Sequence, residues 1–172
     1  MRYEVEVVRV PEQTLAVLGG RGAMGEIGAR MRRLRAIVAD AGLVADGPLI
    51  GRFYEETRGG ETLDYDVCLA VAPAADGSIP DRIGEARGEL VPAHHTLATR
   101  HVGPRDQMDD AVAALHEALA AIGYRAAGPL WEVYVAGAAE GLEAAAFVSD
   151  LSLPDARCAA AQGAPRREPE PE

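Results

Sequence analysis

Apolar residues along the chain follow two patterns, and each pattern occurs twice. Ile27, Met31, Leu34 and Val38 step by four, three and four, and so do Met108, Val112, Leu115 and Leu119. That spacing puts each set along one face of an α-helix. Gly42 and Gly123 follow the two stripes and supply C-terminal stops. Helices are therefore predicted over residues 26–41 and 105–122. Elsewhere apolar and polar residues alternate, or run in short apolar stretches, as strands do. Strands are predicted over residues 3–10, 14–20, 49–56 and 65–72, and again over 85–91, 96–102, 130–135 and 143–152.

The two halves share one register. A shift of 81 residues lays Val10-Pro11 on Val91-Pro92, Gly22 on Gly103, Gly42 on Gly123 and Ala45 on Ala126. The same shift lays Gly47-Pro48-Leu49 on Gly128-Pro129-Leu130, Val67 on Val148 and Pro73 on Pro154. A turn, a helix stripe, a helix end and two flanking prolines coincide without a gap, which is the mark of a duplication. The expected fold is α+β: a duplicated strand-strand-helix-strand-strand unit with pseudo-twofold symmetry. A central ligand cleft is expected between antiparallel sheets, where uncovered sheet faces or edges meet. Residues 1–154 would form this domain, with repeats over about 3–73 and 84–154. The tail, residues 155–172, changes to "DARCAAAQGAPRREPEPE", whose Ala, Pro and charge content predicts disorder.

Composition narrows the classes. The chain has 172 residues, 48% of them hydrophobic, which suits one compact domain. No apolar run approaches the roughly 18 residues a bilayer span needs, and "MRYEVEVVRV" lacks the apolar stretch of a signal peptide. A cytoplasmic protein with no membrane attachment is expected. Two cysteines, Cys68 and Cys158, make no disulfide framework. A net charge of −10 argues against direct DNA binding and permits a cationic ligand. The local basic run "RMRRLR" reads as the solvated face of the first helix.

Several motifs carry less chemistry than they first offer. Gly20-x-Gly22-x-x-Gly25 has the outline of a dinucleotide loop, but only Gly103 survives at the equivalent turn of the second half. The first half also lacks the alternating strand-helix-strand run of a parallel sheet. His94 and His95 are adjacent in a strand and point to opposite faces, and His101 has no ligand-spaced carboxylate or thiol. No metal or cofactor is expected. No nucleophile elbow is present, and Cys68 has no recognisable catalytic context.

"GPLWEVYV" and its copy "GPLIGRFY" are different. Register pairs Gly51 with Glu132 and Phe53 with Tyr134, so one half contributes a carboxylate and a phenol where the other has a glycine and a phenyl ring. The chain has one Trp, five Tyr and two Phe, and four of these (Phe53, Tyr54, Trp131, Tyr134) fall in the two short runs. Strand alternation puts Glu132 on the face of Leu130 and Tyr134. That face is either bathed in solvent, with the aromatics in the core, or it lines a pocket. A buried, unpaired carboxylate is costly, so a pocket for a planar lipophilic cation is the functional alternative. Such a cation would be held by stacking, cation–π contact and charge neutralisation.

These residues carry a resemblance. "VPAHHTLATRHVGPRDQMDDAVAALHEALAAIGYRAAGPLWEVYV", with "GPLIGRFYEE" and "YDVCLAVAP" in the first half, resembles the GyrI-like small-molecule-binding domains over about residues 3–154. These are related to the effector-binding domains of multidrug-sensing transcription regulators. The resemblance implies a ligand cleft between the halves. It implies Glu132 as the pocket glutamate, Phe53 and Tyr134 as aromatic pocket positions, and Trp131 and Tyr54 as aromatic neighbours. Phe53 stands where relatives often have tyrosine, and Cys68 stands where many are acidic, which leaves Glu132 as the main negative charge.

No helix-turn-helix segment accompanies the domain, so a stand-alone module is expected. It would bind or sense bulky aromatic, often cationic compounds, in keeping with transcription regulation or drug resistance, with no protein partner identified. The alternative implied by the family is an enzyme that opens cyclopropane rings of DNA-alkylating natural products. Glu132 would then act as general base and Tyr134 as a polarising donor. A DNA gyrase-interacting protein is a third class, tied to no residue here.

Overall fold

The computed structural model describes residues 3–54, 62–126, 128–136 and 147–154. Among them the chain forms nine strands and two α-helices. The first half contains β1 (Glu6–Val10), β2 (Gln13–Gly22), α1 (Ile27–Asp40), β3 (Ala45–Phe53) and β4 (Leu63–Val71). A short β5 (Arg82–Ile83), not anticipated by the alternation, precedes β6 (Ala86–Val91) and β7 (His94–Val102). Then come α2 (Asp109–Ala121), β8 (Leu130–Ala136) and β9 (Val148–Pro154). The 155–172 tail, Cys158 and residues 143–146 of the last predicted strand lie outside the described residues.

Each helix buries the stripe its sequence marks. Ile27, Leu34 and Val38 of α1 are buried, with Ile37 beside them and Met31 packed against the cluster. In α2, Leu115 and Leu119 are buried with Ala111, and Met108 lies just before the helix. Both helices stop in the same way. Gly42 has φ 69° and Gly123 φ 78°, and the next amide reaches back, Leu43 N to Val38 O and Tyr124 N to Leu119 O, each at 3.1 Å. This is a left-handed turn that glycine adopts without strain. Each helix is preceded by a 3₁₀ turn, Met24–Glu26 and Arg105–Gln107, and the second occupies the residues where periodicity alone starts the helix.

The strands form one continuous antiparallel sheet, in the order β1-β7-β9-β8-β3-β4-β2-β6-β5. The fold is α+β with nine strands and two helices, and the cleft therefore does not lie between two sheets. The halves join edge to edge through β3 and β8, where Gly51 stands opposite Glu132 and Phe53 opposite Leu130. The first strand leaves its own half and pairs with β7, while β6 pairs with β2.

One register departs from the 81-residue shift. Gly51 faces Val67 in β4, whereas Glu132 faces Leu151 in β9, not Val148. The coincidences Val67/Val148 and Pro73/Pro154 thus fall three positions out of structural register. The strand positions follow the pairing, which is fixed by which side chains face the core.

Both helices lie on one face. α1 packs chiefly on β2 and β4, and α2 on β7 and β9. The central pair, β3 and β8, is left between them. On the opposite face Leu15, Val17, Ile50, Cys68 and Val91 form a separate apolar cluster, with Trp131 and Val133 packed against it. No described helix is long and apolar enough to cross a membrane.

Candidate functional site

Because the helices cover the outer strands, the helix-side residues of β3 and β8 are the floor of a cavity of about 1180 Å³. Phe53, Leu130 and Glu132 rise from the floor, Leu153 from β9, and Met24 and Leu63 from the first half. The turn before α2 and the helix itself contribute Arg105, Asp106, Met108, Asp109, Val112 and His116. Among the described residues the lining is mainly apolar and carries three carboxylates (Asp106, Asp109, Glu132) against one guanidinium.

Glu132 is 2% exposed, so its charge needs partners. Ser149 Oγ donates to Oε1 at 2.9 Å, and Arg105 Nη1 donates to Oε2 at 2.5 Å. The same Nη1 donates to Tyr134 Oη at 3.0 Å, and the guanidinium carbon sits 4.8 Å from the Phe53 ring centroid. Burial works against the Arg105 charge, yet Tyr134 and Glu132 outweigh it and raise its pKa. Burial and then the Glu132 charge push the Tyr134 phenol well above its ordinary range, so it keeps its proton at neutral pH.

The turn that delivers Arg105 is itself fastened. Gly103 has φ 134°, and Pro104 precedes the 3₁₀ turn. His101 Nε2 lies 3.1 Å from Pro104 O, and Nδ1 lies 2.9 Å from Tyr3 Oη. A carbonyl only accepts, so Nε2 carries the hydrogen, and in the neutral ring Nδ1 accepts from Tyr3. His101 is thus a backbone clamp.

Of the sequence candidates, Glu132, Phe53 and Tyr54 line the cavity, and Tyr134 reaches it through Arg105. Trp131 and Cys68 do not line it. They belong to the cluster on the other face, because neighbours along a strand point opposite ways. Cys68 is 0% exposed and its thiol is pushed up to about 12 by burial. Trp131 lies 5.3 Å under the Arg52 guanidinium.

Arg52 donates to Asp66 at 2.9 Å and to the two Glu89 oxygens at 2.6 and 2.9 Å. Tyr54 links the two sites: it lines the cavity while its hydroxyl donates to Asp66 Oδ2 at 2.7 Å. Residue reasoning missed Arg105 and Ser149. Arg105 read as the first residue of a helix, and Ser149 as one more polar position in a strand.

Among the described residues no group of three His, Cys, Asp or Glu could hold a metal. At the Gly20–Gly25 run, a Cβ at Gly20 would meet Arg30 Nε at 2.6 Å, and Arg30 Nη1 donates to Gly19 O.

Comparison with known proteins agrees with this architecture. The family of GyrI-like small molecule binding domains matches residues 3–154. No curated protein matches the chain in sequence. Among solved structures, the EcmrR C-terminal domain superposes with TM-score 0.78 at 18% identity, over 90% of this chain and 98% of that one. In the EcmrR–DNA complex this chain spans only 57% of the EcmrR chain, with the same TM-score at 17% identity and 89% of this chain covered. A hydrolase encoded by lin2189 from Listeria innocua superposes with TM-score 0.64 at 19% identity, covering 89% and 92%. SAV2435 bound to tetraphenylphosphonium superposes with TM-score 0.57 at 14% identity, covering 90% and 94%. At these identities the likeness is one of fold.

Proposed function

This chain belongs to the GyrI-like small molecule binding domain family, and we propose that it binds bulky aromatic, often cationic compounds in the cavity over β3 and β8. The observation that carries the reading is a carboxylate, 2% exposed, at the floor of a largely apolar cavity of about 1180 Å³ with aromatic side chains beside it. A cavity of that size takes a ligand with several rings. Among the described residues, three lining carboxylates against one guanidinium favour a positive ligand. The tetraphenylphosphonium held by SAV2435 is a ligand of this kind, on a related fold. In a cell the domain would act in the cytoplasm as a sensor or a sequestering protein.

We also read the scaffold as a duplicated unit. Exchanging β1–β4 with β6–β9 reverses the order of those eight strands and keeps every neighbour. Gly51 and Glu132 stand opposite each other where a twofold axis would pass. On this reading the second half carries the polar chemistry and the first half the apolar wall.

Titration of the 172-residue chain with tetraphenylphosphonium tests the binding reading. One saturable site is expected, and Val112→Trp, which fills the cavity from α2, is expected to abolish it. No binding by the wild-type chain, or full binding by Val112→Trp, would remove the reading. The second reading, cyclopropane hydrolysis, draws on the protonated Tyr134 phenol next to the Glu132 carboxylate. Here Glu132 would take a proton from water as its oxygen bonds to a ring carbon and a cyclopropane C–C bond breaks, the electron pair passing to a substrate carbonyl that Tyr134 polarises. Mass spectrometry for the hydrated, ring-opened product decides it, with Glu132→Gln as background.

A further inference from the structure

The cavity already contains a cation of its own. We infer that Arg105 is a built-in competitor for the position a ligand's cation would take, and that it sets the preference between cationic and neutral aromatic ligands. The inference rests on the cavity being the ligand site. Each partner of the guanidinium is one that an aromatic cation would use. These are the Glu132 carboxylate at 2.5 Å, the Phe53 ring at 4.8 Å and the Tyr134 hydroxyl at 3.0 Å. Ligand and arginine cannot hold them together.

The two charges are anchored differently. Glu132 stands on β8, which is paired on both sides, and Ser149 holds its other oxygen. Arg105 hangs from a three-residue 3₁₀ turn, and its side chain is 34% exposed against 2% for Glu132. The arginine is the partner free to leave. Asp106 and Asp109 line the same cavity, so a displaced guanidinium moves among carboxylates. An incoming cation replaces the charge that departs. A neutral ligand that expelled Arg105 would strand Glu132 buried without a counter-charge, which is costly. Cations are therefore expected to bind in place of Arg105, and neutral aromatics beside it.

The test is calorimetric titration of the full chain with tetraphenylphosphonium and with neutral triphenylmethane, which offers Arg105 no hydrogen-bond acceptor. Arg105→Met should bind the cation at least tenfold more tightly and raise the ratio of cation to neutral-probe affinity by at least threefold. Arg105→Lys should restore the competition, and the gain should vanish in Arg105→Met with Glu132→Gln. A cation affinity unchanged in Arg105→Met, or an equal gain for both probes, would overturn the inference, the latter because only space was freed.

A measurement on the wild-type chain needs no variant to fold. The Arg105 Nε–H resonance should move to the position of an exposed arginine on saturation with the cation and stay put with the neutral probe. An unmoved resonance at cation saturation contradicts displacement. If the wild-type chain does not bind tetraphenylphosphonium, the binding reading itself falls.

Discussion

Gly51 stands across the central strand pair from Glu132, and adding one methyl group there tests how the floor of the cavity is filled. A Cβ at Gly51 would lie 2.7 and 2.9 Å from Phe53 Cε2 and Cζ, and 3.1 Å from Tyr134 Oη. The space a glycine leaves is thus taken by the ring and the phenol. Carbon atoms rest at about 3.5–4.0 Å, so in Gly51→Ala the ring must retreat by roughly 1 Å.

The atoms met are the far ends of side chains. The cost therefore sits at the low end of the overpacking range, about 1 kcal/mol. For a chain of this length that lowers Tm by about 2–4 °C. The site suffers more, because the ring that moves is itself part of the cavity lining. Tetraphenylphosphonium affinity is expected to fall several-fold. Calorimetry gives Tm and the titration gives affinity. Unchanged Tm with unchanged affinity would refute the packing. A drop beyond about 12 °C, the top of the overpacking range, would mean that the backbone moves.

Other groups give independent checks. Arg52→Met removes both Glu89 bonds and the bond to Asp66, which is only 5% exposed. The expected loss is about 3 kcal/mol, or about 6–12 °C in Tm, with ligand affinity unchanged. A shift below about 2 °C would refute it. Cys68, with its thiol pushed up to about 12 by burial, should resist iodoacetamide at pH 8 in a Cys158→Ser chain until urea unfolds the protein. Rapid labelling in the native chain contradicts the packing.

The Tyr54 phenol is raised to about 12, first by burial and then by its bond to Asp66. Its unfolded value is about 10. The stability this represents is complete below about pH 10 and is lost as pH rises through 12, because the unfolded chain releases the proton first. Urea unfolding across that window should fall less steeply for Tyr54→Phe. Parallel curves would refute the assignment.

Much of the scaffold is legible because it rests on local rules. The helix stripes at Ile27–Val38 and Met108–Leu119 are buried as their spacing requires, and Gly42 and Gly123 end the helices with positive φ. The Glu132 face of β8 follows from alternation, as does the opposite placement of Trp131. Arg105 was not legible in the same way. Periodicity extends α2 back to it, whereas Gly103 and Pro104 break the chain and a 3₁₀ turn swings the side chain into the cavity. The β9 register was hidden for a related reason. A constant shift assumes equal connections, and the pairing of Glu132 with Leu151 rather than Val148 reflects a longer one. The single sheet was also beyond local pattern, since it depends on β3 and β8 joining across the halves.

The claim that Glu132 provides the charge for a cationic ligand is tested most directly by tetraphenylphosphonium titrated into wild type and Glu132→Gln. Glutamine keeps the shape and an acceptor for Ser149 Oγ, which now lies 2.9 Å from Oε1; it removes the charge and the acceptor that Oε2 offers Arg105. The account predicts affinity at least tenfold weaker in the variant, about 1.4 kcal/mol. Equal affinity in the two proteins would contradict it.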